Sequence, residues 1–257
     1  GAFGVFVREI EAALLAGAIN VAVHSYKDLP SRSPEGLMIG AVPERVDAAD
    51  VLLVRREALV APHAGLPLAH GACVGTSATR RRALLLDARP DLRIDLLRGN
   101  VPTRVRSLSE GRFAAIVLAA AGLTRLARVD GPDRLTLPED ITVVRLDPLV
   151  FVPAPSQGAI AMQVRTDDRA VRSAVAVMDD AMCRRTLHAE RRALALAEGG
   201  CTLPFGAWCT ADTTGALTLT AALGLDDGTV ARSSATGDDP DAVASEAWQA
   251  LSRVAAL

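Results

Sequence analysis

The feature that most limits this chain is the alternation in its middle third, where short apolar runs lead through turns into amphipathic stretches. Ala72 to Val74 runs into Gly75-Thr76-Ser77, which reads as a strand end, a tight turn and an N-capping hydroxyl, and Arg80 to Arg89 then has helical spacing. Leu92 to Leu97 reads as the next strand. Arg98-Gly99-Asn100 turns the chain into a helix through Val105 and Leu108, and Ala114 to Ala120 makes another buried strand. Alternation of this kind predicts an α/β fold with a parallel sheet covered by helices and a ligand crevice outside the carboxyl ends of its strands.

The flanks extend the pattern. Apolar residues from Phe6 to Ala16 recur at helical spacing and feed a buried strand, Ile19 to Val23; a second apolar run covers Leu37 to Val42. The charged stretch Glu44 to Asp50 lacks an apolar stripe and suits a hinge before a strand at Val51 to Val54. A proline-rich connection, Pro148 to Pro155, leads through Ser156-Gln157-Gly158 into a strand from Ala159 to Val164, and Arg184 to Ala197 forms an amphipathic helix. Beyond Cys201, alternating strands at Leu217 to Ala222 and Thr229 to Ser233 and a final helix from Ala242 to Val254 describe a small α+β lobe. At 257 residues and 50% hydrophobic, the chain can bury cores for two or three such lobes. Its apolar runs are broken well short of a membrane span and its first residues lack the pattern of a secretory signal, so a cytoplasmic protein with no membrane partner is expected.

Two charge features point to chemistry. Lys27, in His24-Ser25-Tyr26-Lys27-Asp28-Leu29-Pro30, is the only lysine beside 27 arginines, and it stands next to a carboxylate where a strand ends. Arginine-rich composition with one chance survivor explains it equally well, since a polar turn after a strand is common and loops at the carboxyl ends of strands carry sites only some of the time. Downstream, eleven arginines between Arg80 and Arg128 face four acidic residues, a segment of +7 in a chain of net charge −2. Guanidinium forks grip carboxylate or phosphate. With eight aromatic residues in all, and none but Phe113 among these arginines, nucleic acid is a poor partner and a small polyanion a better one.

The four cysteines, Cys73, Cys183, Cys201 and Cys209, form no Cys-x-x-Cys pair, and the histidines are scattered, so no metal is expected. Cys201 stands apart from a buried-hydrophobe reading. Gly199-Gly200 before it and Pro204 after it describe a loop whose backbone can bring a thiol close to another group.

Taken in order, His24 to Pro30, Val74-Gly75-Thr76-Ser77 with Arg80-Arg81, Leu97-Arg98-Gly99-Asn100-Val101 with Thr103-Arg104, Ala119-Ala120-Ala121-Gly122-Leu123 with Arg125, and Glu198-Gly199-Gly200-Cys201 resemble the hydroxymethylbilane synthase (porphobilinogen deaminase) family. The resemblance implies two lobes similar to those of periplasmic binding proteins, joined by a hinge, plus a small α+β C-terminal domain. The implied boundaries are 1–46 with 152–178, 47–151, and 179–257. The family's first strand, with a Gly-Thr-Arg-x-Ser motif, has no counterpart here, so the first lobe is expected to lack its N-terminal strand and helix. Phe3, Ala78, Pro102 and Ser156 depart from residues common in the family.

The activity implied is that of a transferase of porphyrin and heme biosynthesis. It polymerises four porphobilinogen molecules into linear hydroxymethylbilane with release of ammonia, on a dipyrromethane cofactor bound covalently through Cys201, in a protein expected to be monomeric. Asp28 and Lys27 would be catalytic. Ser25, Lys27, Thr76, Ser77, Arg80, Arg81 and Arg104 would seat the cofactor, and Arg98, Arg104, Arg125 and Gln157 would meet substrate. The chemistry is consistent: each pyrrole brings two carboxylates for the cations to offset, and a carboxylate at Asp28 would stabilise the cation left when ammonia departs. Lys27 is expected to act as a carboxylate clamp, since Asp28 favours its ammonium. Two rivals are a non-catalytic two-lobed binding protein for a small polycarboxylate, which leaves Cys201 and the Lys27-Asp28 pair unexplained, and an inactive truncated synthase; the mass of a covalent adduct separates them.

Overall fold

The computed structural model describes residues 2–63, 65–131, 134–197 and 203–255. The chain begins with α1 (Ala2–Leu15), β1 (Ala22–Ser25) and β2 (Leu37–Ala41). It continues through β3 (Asp50–Arg55), a hairpin of β4 (Leu59–His63) and β5 (Leu66–Leu68), β6 (Cys73–Gly75), α2 (Thr79–Ala88), β7 (Arg93–Asp95), α3 (Val101–Ser109), β8 (Ala115–Ala119), α4 (Ala120–Ala127) and β9 (Ile141–Arg145). Last come β10 (Ile160–Arg165), α5 (Arg169–Ala176), α6 (Ala181–Ala197), β11 (Phe205–Ala211), β12 (Leu217–Gly224), β13 (Val230–Gly237) and α7 (Pro240–Val254).

Among the described residues, three larger sheets organise these elements beside the two-stranded β4–β5 sheet. One has the order β1-β10-β2, the next β7-β6-β8-β3-β9, and the third is the meander β11-β12-β13. Because β10 returns to the sheet that β1 and β2 began, the chain passes twice between the first two sheets, over residues 42–49 and 146–159, giving a two-lobed α/β body. The crossings touch at Gly158, where φ is +88° and a Cβ would lie 2.7 Å from the Val46 carbonyl oxygen, so only glycine fits.

The middle sheet departs from the expected all-parallel one. β6 runs parallel to β7 and β8, as the helical crossovers α2 and α3 require, but β3 is antiparallel to both β8 and β9. β3 enters from the first crossing rather than from a helix, so no right-handed βαβ rule fixes its direction. It is nonetheless central: Val51 to Val54 are at most 4% exposed, and burying such side chains contributes about 1.5–3 kcal/mol each. One face packs on α2 and the hairpin, the other on α3 and α4.

In the first lobe the strand expected at Ile19 to Val23 begins later, at Ala22, and is not buried on both faces. β1 is an edge strand in alternating burial, with Ala22 and His24 inward and Val23 61% exposed. On α1 the inward face carries Val7 and Leu14, while Phe6, expected in that stripe, points outward. The capping hydroxyl expected before α2 is absent: Ala78 occupies the N-cap position, and Thr76 Oγ1 instead accepts from the Ala78 N–H at 3.2 Å, closing a turn. Asn100 caps α3, accepting from Thr103 N at 3.0 Å. In the third unit, α6 and α7 cover one face of the meander around Leu217, Leu219, Leu223 and Leu251.

Candidate active site

The strand β1 ends in a single 3₁₀ turn, Tyr26–Asp28, which carries Lys27 and Asp28 into solvent reach. Arg191 of α6 holds this turn. Its guanidinium stacks 4.4 Å from the Tyr26 ring centroid and donates to the carbonyls of Tyr26, Leu29 and Pro30. Behind it, Glu11 accepts from Gln163 Nε2 at 3.0 Å, and Gln163 Oε1 meets His24 Nε2 at 3.1 Å. Since the carboxylate takes the amide's N–H, the amide oxygen faces the imidazole, so His24 Nε2 carries a proton.

Asp28 is exposed, yet the groups around it still desolvate its carboxyl in part. Desolvation raises its carboxyl above the ordinary range, against the pull of Lys27 and His24. Lys27 corrects an expectation. Asp28 does favour the ammonium, but desolvation and then Arg81 outweigh it, and the amine is lowered to about 8.

Lys27 Nζ donates to Gln157 Oε1 at 3.2 Å, and Gln157 Nε2 donates to Asp50 Oδ1 at 2.9 Å and to the Ala48 carbonyl at 2.8 Å. Asp50, wholly buried at the start of β3, also receives Arg80 Nη2 at 2.7 Å and Arg81 Nη2 at 2.7 Å. Burial alone would raise this carboxyl; the two guanidiniums hold it well below the usual range instead. Arg80 and Arg81 donate further to the carbonyls of Val152 and Val117. The pair expected to grip cofactor carboxylates is thus already braced by a carboxylate of the chain itself.

Arg104, on α3, is held by its Nε donating to Gly99 O at 2.7 Å; desolvation and Arg81 lower its guanidinium. Arg125, on α4, donates to the Gly158 carbonyl at 2.8 Å, reaching the crossing from the second lobe, and is also lowered by desolvation. Thr76, buried, and Ser77, exposed, line a cavity of about 210 Å³ with Arg82, Ile94 and Asp95 at the amino end of α2. Ser25 is exposed at the end of β1, and Arg98 is exposed before α3 and outside this network. Cys201 lies outside the described residues. A larger cavity, about 520 Å³ between β2 and α5, shares no residue with the site. Among the described residues no cluster of His, Cys, Asp or Glu could hold a metal ion, and no helix is long and apolar enough to cross a membrane.

Asp50 and Arg191 escaped the sequence reading. An aspartate opening a strand after a charged stretch reads as a turn acid, and an arginine on an amphipathic helix reads as its solvated face.

A two-lobed α/β body in which hydrogen bonds and ion pairs link Lys27 of one lobe to Arg80 and Arg81 of the other, with Asp28 exposed beside them, defines a two-lobed protein with a charged site where its lobes meet. The chain belongs to the porphobilinogen deaminase family: residues 1–173 match the family described as porphobilinogen deaminase, dipyromethane cofactor binding domain. The porphobilinogen deaminase of Bacillus thuringiensis subsp. konkukian (strain 97-27) is 42% identical over 252 residues, covering 98% of this chain and 77% of that protein. That of Bacillus cereus (strain ATCC 10987 / NRS 248) is 43% identical over the same lengths. Among solved structures, the Bordetella pertussis BvgS periplasmic VFT2 domain aligns over 66% of this chain and 65% of its own at 15% identity and a TM-score of 0.38, too loosely to carry weight.

Proposed function

We propose that this chain is a transferase that joins four porphobilinogen molecules, with release of ammonia, into linear hydroxymethylbilane. The observation that carries the reading, beside family membership, is the convergence of motifs from both lobes: Lys27 at the end of β1 and Arg80-Arg81 of α2 meet through Gln157 and Asp50.

The residues present fit a dipyrromethane group. Its carboxylates call for partly desolvated cations, which Lys27, Arg104 and Arg125 supply, and Thr76 and Ser77 add hydroxyls at the amino end of α2. Bound covalently, the group supplies the pyrrole carbon to which the first substrate is joined. In this reading Cys201 is its attachment thiol, and Ser25, Lys27, Thr76, Ser77, Arg80, Arg81 and Arg104 seat it. Arg98, Arg104, Arg125 and Gln157 hold substrate and chain carboxylates. Asp28 is the catalytic carboxylate: it faces the positive charge that develops as porphobilinogen loses ammonia, and accepts the pyrrole proton. Lys27 orients an acid side chain. Residues 1–46 with 152–178, 47–151 and 179–257 form the three domains of a cytoplasmic monomer.

Intact mass and a peptide map test the reading. A dipyrromethane adduct on Cys201 in a preparation that consumes porphobilinogen is expected. An active preparation with Cys201 unmodified, or with the adduct on Cys73, Cys183 or Cys209, overturns the attachment; folded protein with neither adduct nor turnover overturns the enzyme.

A further inference from the structure

Asp50 has no role in the mechanism above, yet the arrangement is centred on it. Its two carboxylate oxygens receive Arg80 Nη2, Arg81 Nε and Nη2, and Gln157 Nε2 at 2.7 to 3.1 Å. The amide end of Gln157 is claimed by two acceptors, Asp50 and the Ala48 carbonyl, so its oxygen can only turn toward Lys27. One carboxylate thereby fixes the direction of an amide on one crossing segment, two guanidiniums on α2 and an ammonium on the turn after β1. It also offsets part of the repulsion among three cations in a desolvated space, a task no solvent can perform there.

We propose that Asp50 is a positioning residue of the cleft, whose carboxylate acts through Gln157 and through Arg80 and Arg81 to hold Lys27 and the arginine pair as one fixed cationic array for a polycarboxylate chain. What the array receives rests on the proposed function; that Asp50 builds it does not. The charged groups acting on Lys27 are Arg81, Asp28, Asp50 and Arg80, and of these the two carboxylates favour its ammonium. Removing Asp50 leaves Asp28 alone against two arginines.

The chain's single lysine makes this measurable. Full-length holoenzyme and its Asp50→Asn, Asp50→Glu and Gln157→Met variants are labelled with acetic anhydride across a pH series against a reference amine, and the Lys27 peptide is quantified by mass spectrometry. A fall of about one unit in the amine's midpoint raises the free amine at neutral pH roughly fivefold. Asp50→Asn and Gln157→Met should therefore label several-fold faster, with Asp50→Glu nearer wild type, and porphobilinogen KM should rise more than kcat falls. Gln157→Met keeps the Asp50 ion pairs and cuts only the link to Lys27, so where Asp50→Asn does not fold, a wild-type profile in Gln157→Met overturns the proposal and an altered one upholds the link through which Asp50 acts. Wild-type labelling profiles in folded Asp50→Asn or Gln157→Met overturn the proposal. An altered profile in protein without adduct or turnover upholds the role of Asp50 and overturns the functional reading instead.

Discussion

Arg45 and Glu190, 145 residues apart, form a bidentate pair in which Arg45 Nη1 lies 2.6 Å from Glu190 Oε1 and Nη2 lies 3.2 Å from Oε2. Glu190 is completely buried on α6, and it also accepts from the backbone N–H of Ser156 at 2.7 Å and of Cys209 at 2.8 Å. Arg45 in turn donates to the Gln157 carbonyl at 2.8 Å. Both crossing segments and the β11 strand of the third unit are thereby fastened to one carboxylate.

Breaking this pair from either side strands a buried charge. Glu190→Ala leaves the Arg45 charge without its carboxylate and two backbone N–H groups unpaired, and is expected to cost about 3–5 kcal/mol, read as a lowered denaturant midpoint. A cost under about 1 kcal/mol would mean that water replaces the carboxylate without loss.

Ser156 is fully buried with φ at +64°, and its hydroxyl has no hydrogen-bond partner among the described residues. Ser156→Gly removes both the left-handed strain and the orphaned hydroxyl, gaining about 1 kcal/mol after the added chain entropy. Ser156→Ala removes the hydroxyl alone and should fall between the two in chemical denaturation.

Because Asp50 braces them, Arg80 and Arg81 carry stability as well as any cofactor contact. Arg81→Leu should cost about 3–5 kcal/mol, whereas Arg104→Leu, bonded to Gly99 O from a partly exposed position, should cost about 1 kcal/mol or less. Denaturation midpoints, measured beside dipyrromethane content, separate the two effects.

Asp28→Asn keeps size and hydrogen-bonding reach but removes charge, so single-turnover porphobilinogen consumption should fall by at least about two orders of magnitude while Asp28→Glu keeps a fraction. Burial raises the Asp28 carboxyl, so its working, ionised form is lost as pH falls through a value above the ordinary aspartate range. The acid limb of turnover should therefore lie higher than a free aspartate would give, and Asp28→Asn should lack it.

Lys27 loses its proton near pH 8 in the folded chain against an ordinary value of 10.5, so its burial costs stability in full below 8 and is relieved as pH rises toward 10.5. Lys27→Met should be more stable than the parent at pH 7 by about 1–3 kcal/mol, discounted for partial solvent access, with the gap closing above pH 8. Thermal melts across that window read the difference directly.

The sequence by itself determined the family, the order of most elements and the residues that carry charge. Periodicity located α2, α3, β8, α6 and α7, and the solitary Lys27 beside Asp28 marked the turn after β1, because local pattern and turn chemistry are written in adjacent residues. The β4–β5 hairpin, α4, β9 and α5 were not legible, since their apolar spacing is too brief to form a period, and β11, though seven residues long and mostly buried, is an unbroken run of small and apolar residues rather than an alternation.

Tertiary structure decided what those charges do. Arg80 and Arg81 looked free for a ligand until Asp50, 30 residues earlier, met them in the interior, and Lys27 looked firmly charged until burial was weighed against its neighbour. Direction of pairing in the middle sheet, the Gln157 amide that joins the lobes, and the Arg45–Glu190 fastening are likewise contacts between segments far apart in sequence. Desolvation and long-range ion pairing depend on which groups share a low-dielectric space, and only folding brings them into it.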